Sequence, residues 1–215
     1  MNIYLRSVIS VDYDLVLIDR FINHYKKLGV NKFLITLNIS SGEVRTRYLN
    51  KMLNHLRDDD WIITADCDEF IRLTTGINYI VNLMDEEGSN YARGYIIDRL
   101  RKDYTIPEAL DARALEDQFP VECNTQKLKT KNEYMEKIPI HRKYIKLSLG
   151  NHNIQKKYFH ENCYKSRYAI DHFKWFGNVQ QKMEHLVQCD YKNSKGKIPI
   201  IEAISSGKIK KDDLL

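Results

Sequence analysis

The chain has no apolar run of the roughly 20 residues that a membrane span needs. Its longest, Asp14 to Ile22 and Ile77 to Met84, are broken by charged or amide side chains well before that length. The residues Met1 to Arg6 lack the charged, apolar and small-residue succession of a secretory signal and lead straight into a strand-like run. The expectation is a cytoplasmic protein without a transmembrane segment, which leaves room for peripheral contact with a membrane. Four cysteines, Cys67, Cys123, Cys163 and Cys189, form no C-x-x-C pair, so neither a zinc ribbon nor a dithiol redox motif is written here, and free thiols fit a reducing compartment. There is no internal repeat, no low-complexity tract, no dense basic run and no recognisable nucleic-acid motif, so nucleic acid is not an expected partner.

What is present suffices for one core: 215 residues, 43% hydrophobic. We expect one compact domain over residues 1–192, followed by a weakly patterned basic tail over 193–215 that is partly mobile. The net charge of +5 is uneven, with thirteen Lys and Arg against four Asp and Glu between Gln126 and Lys182. That excess favours an anionic ligand such as a nucleotide diphosphate.

Val8 to Val11 reads as a strand, and Leu15, Ile18, Phe21, Ile22, Tyr25 and Leu28 mark one face of a helix over 15–28. Gly29 stands where a left-handed cap is wanted, and Lys32 to Asn38 reads as a second strand. This is a β-α-β unit, which builds parallel sheets. A further helix carries Val44, Tyr48, Leu49, Met52, Leu53 and Leu56. Trp61 to Ala65 reads as a strand buried on both faces, with Asp66-Cys67-Asp68-Glu69 at its carboxyl end, where open α/β sheets bind ligands. Beyond it come a helix with Ile77, Ile80, Val81 and Met84, a strand over 94–98, and a loop-rich excursion over 99–119. Strands are expected over 144–149 and 169–175, and a last helix over 178–191.

Two aspartates separated by one residue at a strand end reach one divalent cation, directly or through its waters, and magnesium-like ions favour a few carboxylates plus phosphate oxygens. The string Trp61-Ile62-Ile63-Thr64-Ala65-Asp66-Cys67-Asp68-Glu69-Phe70-Ile71 resembles the W-[IV]-x-x-x-D-x-D-E-F segment of family 2-like GT-A glycosyltransferases. Phe21 to Val30, with His24 and Gly29, is similar to that family's first helix. Tyr95-Ile96-Ile97-Asp98-Arg99-Leu100 is similar to its strand-and-arginine segment, Gly150-Asn151-His152 to its G-x-H element, and His172-Phe173-Lys174-Trp175 to its H-[FY] strand.

The resemblance implies a GT-A-like, Rossmann-like α/β fold with a mostly parallel central sheet and helices on both faces. It implies an inverting transferase that uses Mn²⁺ or Mg²⁺ and a nucleotide-diphosphate sugar, a UDP-sugar above all, with a saccharide or lipid-linked acceptor in cell-surface polysaccharide or lipopolysaccharide synthesis. The metal candidates are Asp66, Asp68, His172 and His152. The donor candidates are Asp12 for the nucleoside, Asp66 for the ribose, Arg99, and Lys174 and Lys182 for the diphosphate. Glu116 and Asp117 are the candidates for the catalytic base.

Other readings start from the same residues. A haloacid-dehalogenase-like phosphohydrolase also places D-x-D after a strand, but after its first one and with Thr or Val where Phe70 stands. A nucleic-acid-binding module would rest on the basic stretch, and a zinc-stabilised one on His152, His160, Cys163 and His172, whose spacings match no common zinc pattern.

Overall fold

The computed structural model describes residues 2–10, 14–37, 50–103, 105–125 and 135–177. Asp12, Lys182, the helix expected over 178–191 and the tail lie outside these residues, as do residues 44–49 of the helix carrying Val44 to Leu56. The chain divides into two units, Met1–Tyr95 with Glu136–Ile170 and Ile96–Met135 with Asp171–Leu215. Among the described residues, no helix is long and apolar enough to cross a membrane.

In the first unit, β1 (Ile3–Ile9) lies between β2 (Lys32–Leu37) and β3 (Trp61–Thr64) and is parallel to both. β3 pairs on its other side with β7 (Glu136–Arg142), and that pairing is antiparallel, as is the pairing of β7 with β5 (Tyr91–Leu100). With β4 (Glu69–Ile71) and β8 (Cys163–His172), the order is β2-β1-β3-β7-β5-β8-β4. The fold is α/β with a mixed sheet, which corrects the expectation of a mostly parallel one.

The correction turns on β7. The apolar run over 144–149 is not a strand: Lys143 and Tyr144 form a turn, and Leu147 joins Ile154 in an isolated bridge. The strand lies earlier, where Ile138 and Ile140 face one side, and Lys137, Pro139 and His141 the other. Proline donates no ladder hydrogen bond, and Pro139 sits where the β5–β7 register shifts between Ala92 and Gly94.

The first helix begins with a single 3₁₀ turn, Leu15–Leu17, and continues as α1, Ile18–Lys27. This start turns Leu17 into the core and leaves Leu15 45% exposed, so the buried face is Leu17, Phe21 and Tyr25. Gly29, at φ +97°, ends it: the Gly29 N–H donates to Lys26 and the Val30 N–H to Tyr25, the paired bonds of a Schellman cap. α2 (Ile77–Glu86) buries Ile77, Ile80, Val81 and Met84, as its spacing predicts. All four residues of β3 are buried.

Asp60, 1% exposed, anchors the start of β3 to that of β1: its carboxylate accepts from the Asn2 backbone and side chain, the Arg57 N–H and the Arg57 guanidinium at 3.0–3.3 Å. Burial works against ionisation, but these donors prevail and hold Asp60 below the usual carboxylate range.

In the second unit, residues 98–100 of β5 pair antiparallel with β6 (Val121–Cys123). The expected loop over 99–119 contains one short helix, α3 (Leu115–Gln118). Phe119, Phe173, Trp175 and Phe176 are buried, with Phe119 packed edge-on against Phe173 at 6.1 Å between ring centres. The strand expected over 169–175 begins earlier and ends at His172.

Two measurements test this packing. A native pKa below the unfolded one means that Asp60 contributes stability above about pH 3.9 and loses it as pH falls through the lower native value. Asp60→Ala is therefore less stable than wild type in neutral urea titrations, and the gap closes on acidification through that window; a gap that persists there refutes the charge-based account. Gly94 has no room for a side chain, since a Cβ would lie 2.8 Å from Ile170 Cδ1 and 2.9 Å from the Tyr168 carbonyl oxygen. Gly94→Ala should cost about 1–3 kcal/mol in the same titration.

Candidate acidic site

β3 ends at Thr64, and the chain turns through Asp66, Cys67 and Asp68 before β4 begins at Glu69. Cys67 is 1% exposed and points its thiol at the Asp14 carbonyl, 3.6 Å away. Asp66 and Asp68, on either side of it, are half-buried. Glu69 closes the turn in two ways: its N–H donates to the Asp66 carbonyl at 3.0 Å, and its carboxylate accepts from the Asp66 N–H at 3.2 Å.

Lys137 completes the group from β7. Its ammonium lies 2.9 Å from Glu69 Oε1 and 3.4 Å from Asp66 Oδ2, with only 8% of its side chain exposed. β4 is held from beneath by α1. The Tyr25 hydroxyl donates to the Glu69 carbonyl at 3.0 Å and accepts from the Ile71 N–H at 3.4 Å; the His24 ring donates from Nε2 to the Ile71 carbonyl at 2.9 Å. Phe70 meets Phe21 and His24 edge-on. His24 and Tyr25 of α1 thus pin the strand that follows the acids.

A second polar group lies on the same face of the sheet. Arg6 is 2% exposed, and its Nε donates to the Thr64 hydroxyl at 2.7 Å. His141 donates from Nδ1 to the Arg142 carbonyl, so its Nε2 accepts from Thr64 at 3.0 Å. Burial lowers the Arg6 pKa to about 9, and burial with the Arg6 charge keeps His141 neutral.

In the second unit, His172 Nδ1 lies 2.7 Å from Asp98, whose other oxygen accepts from the Thr125 hydroxyl at 2.5 Å. Burial raises the Asp98 pKa, but the His172 hydrogen bond and charge, the Lys174 charge and Thr125 outweigh it and hold Asp98 below its ordinary value. With Nδ1 on Asp98, the ring presents Nε2 as its other ligating atom. Lys174 sits over the Trp175 ring at 4.9 Å.

The Arg99 guanidinium is engaged by protein: the Phe119 carbonyl at 2.9 Å, Glu122 at 2.8 Å and Asp171 at 3.3 Å. Glu116 and Asp117 are exposed on α3, and Asp117 borders an open cavity of about 400 Å³ shared with Arg101, Lys102 and Arg113. His152, in the first unit, gives its Nδ1 to the Glu136 carbonyl at 2.8 Å. Of the candidates named from sequence, Asp66 and Asp68 share the acidic turn, and His172 and Lys174 gather at Asp98.

The carboxylates of Asp66 and Asp68 on one turn are hard oxygen donors, which fits a cation such as Mn²⁺ or Mg²⁺. Sequence reasoning missed Lys137, Asp98 and Thr125. Lys137 had a signal: a lysine four residues before a histidine, both on the polar face of a strand whose other face is Ile138 and Ile140.

No protein-family model matches the chain, and no curated protein matches it. Among solved structures, the 2-C-methyl-D-erythritol 4-phosphate cytidylyltransferase of Francisella tularensis is similar at a TM-score of 0.34 and 14% identity, covering 66% of this chain and 73% of that one. At that level of likeness neither protein is a guide to the other's chemistry.

The buried Arg99–Asp171 pair makes a testable demand on stability. Removing one partner of a buried ion pair strands the other, and Asp171 is as buried as Arg99, at 7% side-chain exposure each. Arg99→Met should lose about 3–5 kcal/mol of stability by calorimetric unfolding. A variant as stable as wild type would show that the Arg99–Asp171 pair does not hold the fold.

Proposed function

We propose that this chain is a divalent-metal-dependent glycosyltransferase. It moves a sugar from a nucleotide-diphosphate sugar, a UDP-sugar in the first instance, to a hydroxyl of a saccharide or lipid-linked acceptor in cell-surface polysaccharide synthesis. The observation that carries the reading is the acidic turn, with two half-buried carboxylates at the carboxyl end of a buried strand parallel to β1, fixed on both sides by β4 and Lys137.

In this reading Asp68 is the metal ligand, and Asp66, already shared with Lys137, reaches the ion or the donor ribose. The ion, when bound, neutralises the diphosphate leaving group as a Lewis acid. The protein supplies position. Glu69 holds the Asp66 backbone, Tyr25 and His24 hold β4, and the carboxylates therefore need little rearrangement to meet a ligand. Inversion at the anomeric carbon follows from the family resemblance. Glu116 and Asp117 receive no step in this reading, being exposed on a one-turn helix.

Thermal denaturation with UDP-, GDP- and CDP-sugars, with and without Mn²⁺, tests the assignment in wild type and Asp68→Ala. Wild type should gain about 2.7 kcal/mol at a hundredfold excess of ligand over its Kd, only with the metal, and Asp68→Ala should gain almost none. Failure of every nucleotide to stabilise wild type at any Mn²⁺ concentration removes the reading.

A further inference from the structure

The Lys137 ammonium stands where a bound cation would draw on the same carboxylate. It lies 3.4 Å from Asp66 and 2.9 Å from Glu69, and both it and Glu69 are almost wholly removed from solvent. A buried carboxylate such as Glu69 needs a partner, and Lys137 provides it. Asp66 differs, with a quarter of its side chain exposed. Asp66 therefore faces two ways: Lys137 on its buried side, solvent and ligand on the other.

We infer that Lys137 is a resident counter-ion that sets the divalent-cation affinity of the acidic turn. It competes with the ion for Asp66, and it keeps the turn assembled when no ion is bound. The inference rests on the metal-binding reading of Asp66 and Asp68 and adds to it the residue that tunes the site. Lys137 is a positioning residue here, acting through Asp66 and Glu69.

Two physical terms fix the expected signs. A unit charge close to the ion opposes its binding, more strongly in a partly dry site than in water. Without an ion, loss of Lys137 takes a cation from beside the buried Glu69 carboxylate, which destabilises the protein. Lys137→Met should therefore melt earlier than wild type in a chelator, bind Mn²⁺ more tightly, and regain more of its melting temperature on Mn²⁺ addition. The double variant Lys137→Met with Glu69→Gln removes the buried pair together. One cation and one carboxylate are lost together, so the net charge is unchanged and competition for Asp66 is isolated.

The experiment is a calorimetric titration of Mn²⁺ alone into wild type, Lys137→Met and the double variant, each checked for folding by circular dichroism. Tightening by about tenfold in the double variant supports the inference. Equal or weaker binding by the folded double variant, beside measurable binding by wild type, overturns it and leaves the metal reading standing. Absence of Mn²⁺ binding in all three proteins overturns both.

A measurement on wild type needs no variant to fold. The Lys137 ammonium, buried and slow to exchange, should give a ¹⁵N signal that shifts saturably with added Mg²⁺ as Asp66 turns to the ion. A lysine spectrum unchanged at saturating Mg²⁺ overturns the inference.

Discussion

Strand β3 has four residues, all buried, and every neighbour is strand: β1 on one side, parallel, and β7 on the other, antiparallel. A strand so enclosed satisfies its backbone groups through its ladders, and its one hydroxyl, on Thr64, is taken up by Arg6 and His141, so charged side chains come beyond its end. The acids at 66 and 68 are where the chain first regains solvent. Their position is fixed from behind by the ladders and from ahead by α1, whose Tyr25 and His24 bind the backbone of β4. Loss of either hold would let the turn drift, and a carboxylate pair serves a ligand only while its geometry is held.

The two faces of this sheet carry different chemistry. One presents Leu5, Ile63, Ile138 and Ile140, all fully buried. The other presents Arg6, Thr64, Lys137 and His141, nearly as buried but polar. Burying cations costs solvation free energy, and the structure limits that cost differently at each: Lys137 has two carboxylates, whereas Arg6 has a hydroxyl and a neutral imidazole. The histidine stays neutral because it is buried and because Arg6 is beside it, so the pair carries one charge where it would otherwise carry two.

The same accounting changes the meaning of the basic stretch from Gln126 to Lys182. As sequence it looks like an attractor of anions. In the fold, Lys143 pairs with Asp58, Arg142 with Asp85, Lys165 with Glu87, and Arg167 with Glu136. Residues distant in sequence supply the acids, so the local excess was invisible as ion pairing. Arg142 also covers the Trp61 ring at 4.1 Å, which makes it part of the packing around β3. What was legible followed from local periodicity: β2, the helix cap at Gly29, α2, and the short buried strand before the acids. What was not legible depended on partners. Pro139 and Lys137 disguise β7 as a loop, and the sense of its pairing with β3 is decided by tertiary contact. Nothing near Arg99 in sequence announces Phe119 or Asp171 as its partners.

The acidic motif itself shows why a local pattern carries more than its spacing. Its five consecutive residues each do a different job. Asp66 faces Lys137 and solvent, Cys67 enters the core, Asp68 returns to the surface, Glu69 closes the turn, and Phe70 packs on α1. A chance pair of aspartates has neither the buried residue between them nor the glutamate after them. The glutamate then takes up the first aspartate's N–H and the lysine's charge. The residues that hold the turn in place, Cys67 in the core and Glu69 on the Asp66 backbone, are the ones a bare D-x-D does not contain.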